Sequence, residues 1–138
     1  MKLELVAATP RIEAMIATSM LTTTSGAQPG TLYERLSQRP EKVDEVVGRV
    51  ELQHGNILEH NRLIWVLEAS RDEALEVMLR SRFITFTELE ADRWLVSCNL
   101  RTLAEYCESH RGEFSGLMLE SIKETAPHIH SYIGRRRS

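Results

Sequence analysis

Apolar positions along this chain come in short bursts, and their spacing changes from one burst to the next. Leu3, Leu5 and Ala7 alternate with other positions, which predicts a strand from Leu3 to Ala7 with those three on one face. Ile12, Met15, Ile16 and Met20 then recur at helical spacing, with Thr9 as the expected N-cap and Pro10 at the first helical position. Thr22 to Gly30 is polar and carries Gly and Pro, so it reads as a loop, of the kind that often closes over ligands. Thr31 to Ser37 predicts one or two helical turns. Pro40 opens a further helix through Val43, Val46, Val47, Val50 and Leu52 toward His54, where Gly55 punctuates it.

Arg62 to Glu68 holds five apolar residues in a row, which suits a buried strand, although period alone also admits a helix. Ser70 followed by Glu73 is a capping box, and the helix it opens uses Ala74, Leu75, Met78 and Leu79 and ends near Arg80. Phe83 to Thr87 is aromatic and β-branched and predicts a strand. Asn99 caps a helix through Leu100, Leu103, Ala104 and Cys107, which Gly112 breaks. A last helix runs from about Phe114 to Glu124, with Pro127 ending it. The order of elements predicts an α+β fold, a small and mostly antiparallel sheet flanked by helices, in one domain over residues 1–138.

Composition narrows the function classes. The net charge of −3 argues against bulk electrostatic binding of nucleic acid, and the one basic run, Arg135-Arg136-Arg137, reads as a solvated tail. No apolar run reaches the roughly 18–20 residues that span a bilayer, and Met1 to Glu4 does not open a signal peptide. Cys98 and Cys107 lack metal-ligand spacing and are expected as small buried hydrophobes, which fits a reducing cytoplasm. His128 and His130 alternate after Pro127 without further ligands, so no metal site is expected and both are expected to be exposed. Trp65 and Trp94 are expected in the core.

Arg80-Ser81-Arg82 is the most pointed cluster. Two guanidinium groups flank one small residue where a helix gives way to a strand, and that suits holding phosphates or a flavin. Periodicity alone favours a plainer reading, a pair of surface arginines at a helix C-terminus where the dipole welcomes cations.

The stretch from Gly55 to Trp94 resembles the flavin-dependent thymidylate synthase family. That family carries a Gly-His-x-Ser/Thr-x-x-Glu-His segment, a strand, a helix led by Ser-Arg, then Arg-His-Arg and, seven residues later, a serine. Here His54-Gly55-Asn56-Ile57-Leu58-Glu59-His60 corresponds to the first part, Leu63-Ile64-Trp65 to the strand, Ser70-Arg71 to the helix start and Phe86-Thr87-Glu88-Leu89 to a Tyr-Asn-Glu-Leu segment. Asn99-Leu100-Arg101-Thr102-Leu103 resembles an Asn-x-Arg-Ser-Leu segment, and Phe114 to Pro127 resembles the closing helix. The chain also departs from the pattern. Ser81 stands for the central histidine, Glu90 for the later serine and Asp92 for an arginine, with Arg93 one step on. No insertion separates Trp94 from Asn99.

The resemblance implies a thymidylate synthase complementing-protein-like fold and a short, divergent member. It is similar to the branch that methylates UMP and dUMP at C5 in polyoxin-type nucleoside antibiotic pathways. The implied reaction is reductive C5 methylation of a uracil nucleotide by a homotetramer with sites between subunits, using FAD, methylenetetrahydrofolate and NADPH. A dUMP-only thymidylate synthase and a non-catalytic flavin- or nucleotide-binding homologue are the other readings. The implied catalytic residues are Arg80, Glu59 and His60. Nucleotide binding would fall to Arg80, Glu88, Leu89, Glu90, Arg93 and Arg101, and cofactor binding to His54, Ser81, Arg82 and Asn99. Each has a plainer reading. Ser81 cannot titrate near neutrality and is equally a loop residue, Glu88 a solvated carboxylate, His60 a histidine satisfied by backbone and Asn99 a helix cap. Glu90 beside a phosphate would need neutralising by Arg93 or protonation, and is expected to point away.

Overall fold

A computed structural model describes residues 1–22, 25–49 and 52–137, with the side chains of 52–55 outside the description. Among the described residues, four strands form one antiparallel sheet: β1 (Lys2–Ala8), β2 (Leu63–Glu68), β3 (Thr85–Glu90) and β4 (Arg93–Cys98), in the order β1-β2-β4-β3. Seven α-helices are present among the described residues: α1 (Ile12–Leu21), α2 (Pro29–Ser37), α3 (Pro40–Val47), α4 (Arg71–Arg80), α5 (Leu100–Ser109), α6 (Glu113–Ser121) and α7 (Pro127–Arg137). A 3₁₀ helix (Leu52–Glu59) precedes β2. This is the α+β arrangement that the sequence predicts.

Register explains which sheet face is buried. Leu5 lies opposite Trp65, which lies opposite Val96, and Leu67 lies opposite Trp94. Trp65, Val96, Leu67 and Trp94 form the core with Leu63, Cys98, Leu100, Leu103 and Met118, and Leu5 packs against it. The intervening positions Ile64, Val66 and Leu95 remain only half-buried. Both tryptophans are core, as expected, and each indole N–H is satisfied: Trp65 Nε1 donates to Ser121 Oγ at 2.8 Å and Trp94 Nε1 to the Ala69 carbonyl at 3.1 Å.

Several sequence expectations are corrected. α1 begins at Ile12, with Arg11 in the left-handed region (φ 49°) as its N-cap. Thr9 instead ties β1 to β2: its N–H donates to the Arg62 carbonyl at 2.9 Å, and its Oγ1 accepts from Arg62 N–H at 2.8 Å. The loop after α1 ends before Pro29, because Pro29 at the first helical position starts α2 there and takes Gly30 into the helix. α3 stops at Val47 rather than reaching His54, and Gly55 lies inside the 3₁₀ helix; the expected contribution of Val50 lies outside the described residues. The strand expected at Phe83–Thr87 runs from Thr85 to Glu90.

β4 is an element the sequence reading does not contain. It pairs with both β2 and β3, so with β2 it is one of the two inner strands of the sheet. It passes straight into α5 at Asn99, so no insertion separates Trp94 from Asn99. Pro127 opens α7 instead of only ending α6. The Arg135-Arg136-Arg137 run is therefore the last turn of a helix and not a solvated tail: Arg136 Nε donates to Glu108 Oε1 at 2.6 Å.

His128 is not simply exposed either. The carboxylate of Glu13, itself buried in α1, accepts from the backbone N–H groups of His128 (3.0 Å) and Ile129 (3.1 Å), and His128 Nδ1 lies 3.1 Å from its other oxygen. Glu13 thus caps the start of α7 from another helix. His130 is half-buried.

Candidate functional site

The C-terminal end of α4 and one face of α5 enclose an open groove of about 550 Å³. The capping box at Ser70 and Glu73 fixes where α4 starts: Ser70 Oγ accepts from Glu73 N–H at 3.2 Å, and Glu73 Oε1 accepts from Ser70 N–H at 2.9 Å. Ten residues later α4 delivers Arg80, Ser81 and Arg82 to the groove. The opposite wall is Thr102, Glu105, Tyr106, Ser109 and His110. Those positions follow one another at helical spacing, so a single face of α5 presents them. The N-terminus of α5 is anchored twice. Asn99 Oδ1 accepts from Thr102 N–H at 2.9 Å, and Asn61 Oδ1 accepts from Leu100 N–H at 2.8 Å.

Of the sequence candidates, Arg80, Ser81 and Arg82 come together here. Arg80 Nη2 donates to Glu76 Oε1 at 2.6 Å, one helical turn back. Its guanidinium also neighbours the Tyr106 hydroxyl, whose pKa burial raises and Arg80 pulls back down. The Arg82 guanidinium lies over the Phe83 ring, 4.9 Å from its centroid, and no carboxylate engages it among the described contacts. Ser81 Oγ accepts from Phe83 N–H at 3.4 Å.

The remaining candidates lie elsewhere. Arg101 bridges Glu59 (2.5 Å) and Glu105 (3.1 Å), and the hydrogen bonds it donates to the Glu105 and Glu59 carboxylates hold its guanidinium firmly protonated. Glu59 is therefore committed to Arg101 rather than to its neighbour His60, which is exposed. Because Glu105 also lines the groove, this cluster adjoins it. Asn99 serves as the α5 cap. Glu88, Leu89, Glu90 and Arg93 lie on the β3–β4 hairpin and none lines the groove. Glu88 pairs with Arg71 at 2.9 Å, Leu89 is exposed, and Glu90 is neutralised by Arg93 at 2.5 Å. The side chain of His54 falls outside the described residues.

Sequence reasoning passed over Tyr106, His110, Thr102, Glu105 and Ser109. The signal was present as their helical spacing opposite the Arg80–Arg82 run. No group of three or more potential metal-ligating side chains occurs among the described residues. Both thiols are buried, and desolvation pushes Cys98 up to about 12 and Cys107 up to about 11, so neither serves as a nucleophile near neutrality. No helix among the described residues is long and apolar enough to cross a membrane.

The donor set suits an anion. Arg80, Arg82, Ser81, Thr102, Ser109 and Tyr106 line one space, and the one acid on its lining, Glu105, is paired with Arg101. A volume of this size is in the range of small-molecule sites, although the groove is open along one side. Comparison with protein families returns no match, and neither does comparison with curated proteins. Among solved structures, the chain is similar to the flavin-dependent thymidylate synthase ThyX of Helicobacter pylori, complexed with FAD and dUMP. The TM-score is 0.60 at 13% identity, over 96% of this chain and 97% of that one. The fold of this chain is thus the fold of a flavin-dependent thymidylate synthase.

Proposed function

We propose that the chain is a flavin-dependent enzyme that methylates a uracil nucleotide, UMP or dUMP, at C5. The observation that carries this reading is the placement of Arg80 and Arg82 on a groove within a fold shared with an FAD- and dUMP-bound protein. When bound, reduced FAD together with methylenetetrahydrofolate would supply the carbon and the hydride, with NADPH restoring the flavin. The chain's own residues hold and orient. Arg80 takes the nucleotide phosphate once it lets go of Glu76, and Arg82 takes a flavin phosphate or the ring edge. Guanidinium groups near the uracil carbonyl stabilise negative charge as C5 becomes nucleophilic. No serine or cysteine nucleophile is needed.

The open side of the groove bears on assembly. Leu75, Leu79 and Phe83 are 48%, 81% and 59% exposed beside it, and Leu89 on the hairpin is 49% exposed. In the proposed homotetramer, a neighbouring copy covers these apolar side chains and closes the groove. Its hairpin then brings Glu88, Glu90 and Arg93 toward the nucleotide. UMP as a substrate beside dUMP is inferred from the compact chain and its altered pocket, which the resemblance ties to the UMP/dUMP branch.

A second reading, a homologue that binds nucleotide or flavin without turnover, draws on a different observation. Arg80, Arg93 and Arg101 are each engaged by carboxylates, and position 81 has no imidazole. Release of tritium from C5-labelled UMP and dUMP, in the presence of FAD, methylenetetrahydrofolate and NADPH, separates the two. Release above a protein-free control supports the methylase. Flavin binding without release from either nucleotide leaves the binding homologue.

A further inference from the structure

His110 closes α5 as its C-cap, with an extended backbone (φ −128°, ψ 125°), and its N–H donates to the Tyr106 carbonyl at 2.8 Å. Its ring stacks on Tyr106 with centroids 4.5 Å apart and planes 25° from parallel. The stack fixes where the imidazole edge points, because Tyr106 is itself buried. His110, Tyr106 and Arg80 also line a second, adjoining cavity of about 320 Å³, so the three form the ridge between two lobes of one depression.

His110 Nδ1 is buried and has no hydrogen-bond partner among the described residues. A neutral imidazole has one N–H and one acceptor nitrogen, and a buried N–H without an acceptor is the rarer and costlier orphan. The neutral ring therefore carries its proton on Nε2.

The acids around the ridge are already engaged. Glu76 holds Arg80, Glu73 sits in the α4 capping box, Glu105 holds Arg101, and Glu113 pairs with the Met1 amino group. Arg111 donates to the Arg137 carbonyl. With those acids occupied, Arg82, the His110 ring and the groove's hydroxyls are among the groups left to meet an incoming anion.

We propose that His110 is a third ligand-holding group of this depression, its Nε2–H donating to a phosphate oxygen held also by Arg80 and Arg82. The inference rests on the reading of the groove as a site for phosphorylated nucleotides and adds a residue to it. The phosphate could belong to the uracil nucleotide or to the flavin dinucleotide.

The test measures binding of inorganic pyrophosphate, UMP, dUMP and FAD by calorimetry to wild type, His110→Phe and His110→Gln. Phe keeps the stack on Tyr106 and fills the place of the orphan nitrogen, but it has no donor. Gln places an amide N–H where Nε2–H stood. His110→Phe is expected to weaken pyrophosphate about ten- to a hundredfold, while His110→Gln stays within about threefold of wild type. Thermal melting of all three proteins tells whether the fold survives, and rescue by Gln separates a donor from a purely structural ring. Matching losses with UMP and dUMP assign the phosphate to the substrate nucleotide, and a matching loss with FAD assigns it to the flavin. The inference is overturned if His110→Phe binds pyrophosphate like wild type, if Gln fails to rescue a folded protein, or if wild type does not bind pyrophosphate at all. Should pyrophosphate depend on His110 while UMP, dUMP and FAD all fail to bind, the inference stands and the methylase reading falls.

Discussion

Two acid–base clusters in this molecule have opposite characters. At the start of α7, Glu13 is buried and its two carboxylate oxygens meet two backbone N–H groups and His128 among the described residues. At the end of α4, Arg80 and Glu76 are 43% and 63% exposed and make a one-turn ion pair that water and salt can replace. The first arrangement is complete, so its chemistry goes into holding helices together. The second is provisional, and a phosphate that makes paired hydrogen bonds with Arg80 can outcompete Glu76. Charge close to charge is therefore a poor guide to function here. What distinguishes the ligand-facing cluster is that its partners can be exchanged.

The sharpest way to break the comparison is at Glu13. Replacement by Ala leaves two buried N–H groups and an imidazole without their acceptor, and is expected to cost about 3 kcal/mol in urea unfolding. Glu13→Gln keeps an acceptor without the charge and is expected to stay within about 1 kcal/mol of wild type. The pair also differ in pH dependence. Burial raises the Glu13 carboxyl above its ordinary 4.5, against the lowering pull of His128 and the backbone donors. A carboxyl raised in the folded state adds stability that is fully present below its unfolded value and is lost as pH climbs through the folded value. The melting temperature of wild type relative to Glu13→Gln should therefore rise as pH falls from neutrality toward 4.5. A flat difference would mean the carboxyl is not desolvated.

Arg80→Ala should do the reverse. Stability is expected to stay within about 0.5 kcal/mol, while UMP or dUMP affinity drops about tenfold or more in calorimetry. A stability loss comparable to that of Glu13→Ala would erase the distinction between the clusters. The smallest effect is at the far end of the same helix. Ser70→Ala removes the cap of α4 and should cost about 1 kcal/mol, with a modest loss of nucleotide affinity as the helix start frays.

Much of the fold was legible because local chemistry announced it. Ser70 with Glu73 and Asn99 before Leu100 marked two helix starts, and the unbroken apolar run after Arg62 marked the central strand β2. β4 was missed for a physical reason. Its hairpin with β3 turns through Ala91 and Asp92, with Asp92 at φ 62° in the left-handed region, and no glycine or asparagine signals the turn. Pro127 was read as a stop because proline cannot continue a helix, yet the same fixed φ suits it to begin one. In the site, only the contiguous run from Arg80 to Arg82 stands out in the sequence. The facing wall is spread from Thr102 of α5 to its cap residue His110 and becomes visible only once the end of α4 and the face of α5 are set against each other.

The direct passage from β4 into α5 has a mechanical consequence. With only Asn99 between the two elements, and that residue spent on capping, the α5 wall has no slack of its own. Tyr106 and His110 must travel with the middle of the sheet or not at all. Any widening of the cleft to admit a bulky guest falls to the other jaw, where only Ala74 and Val77 of α4 are buried.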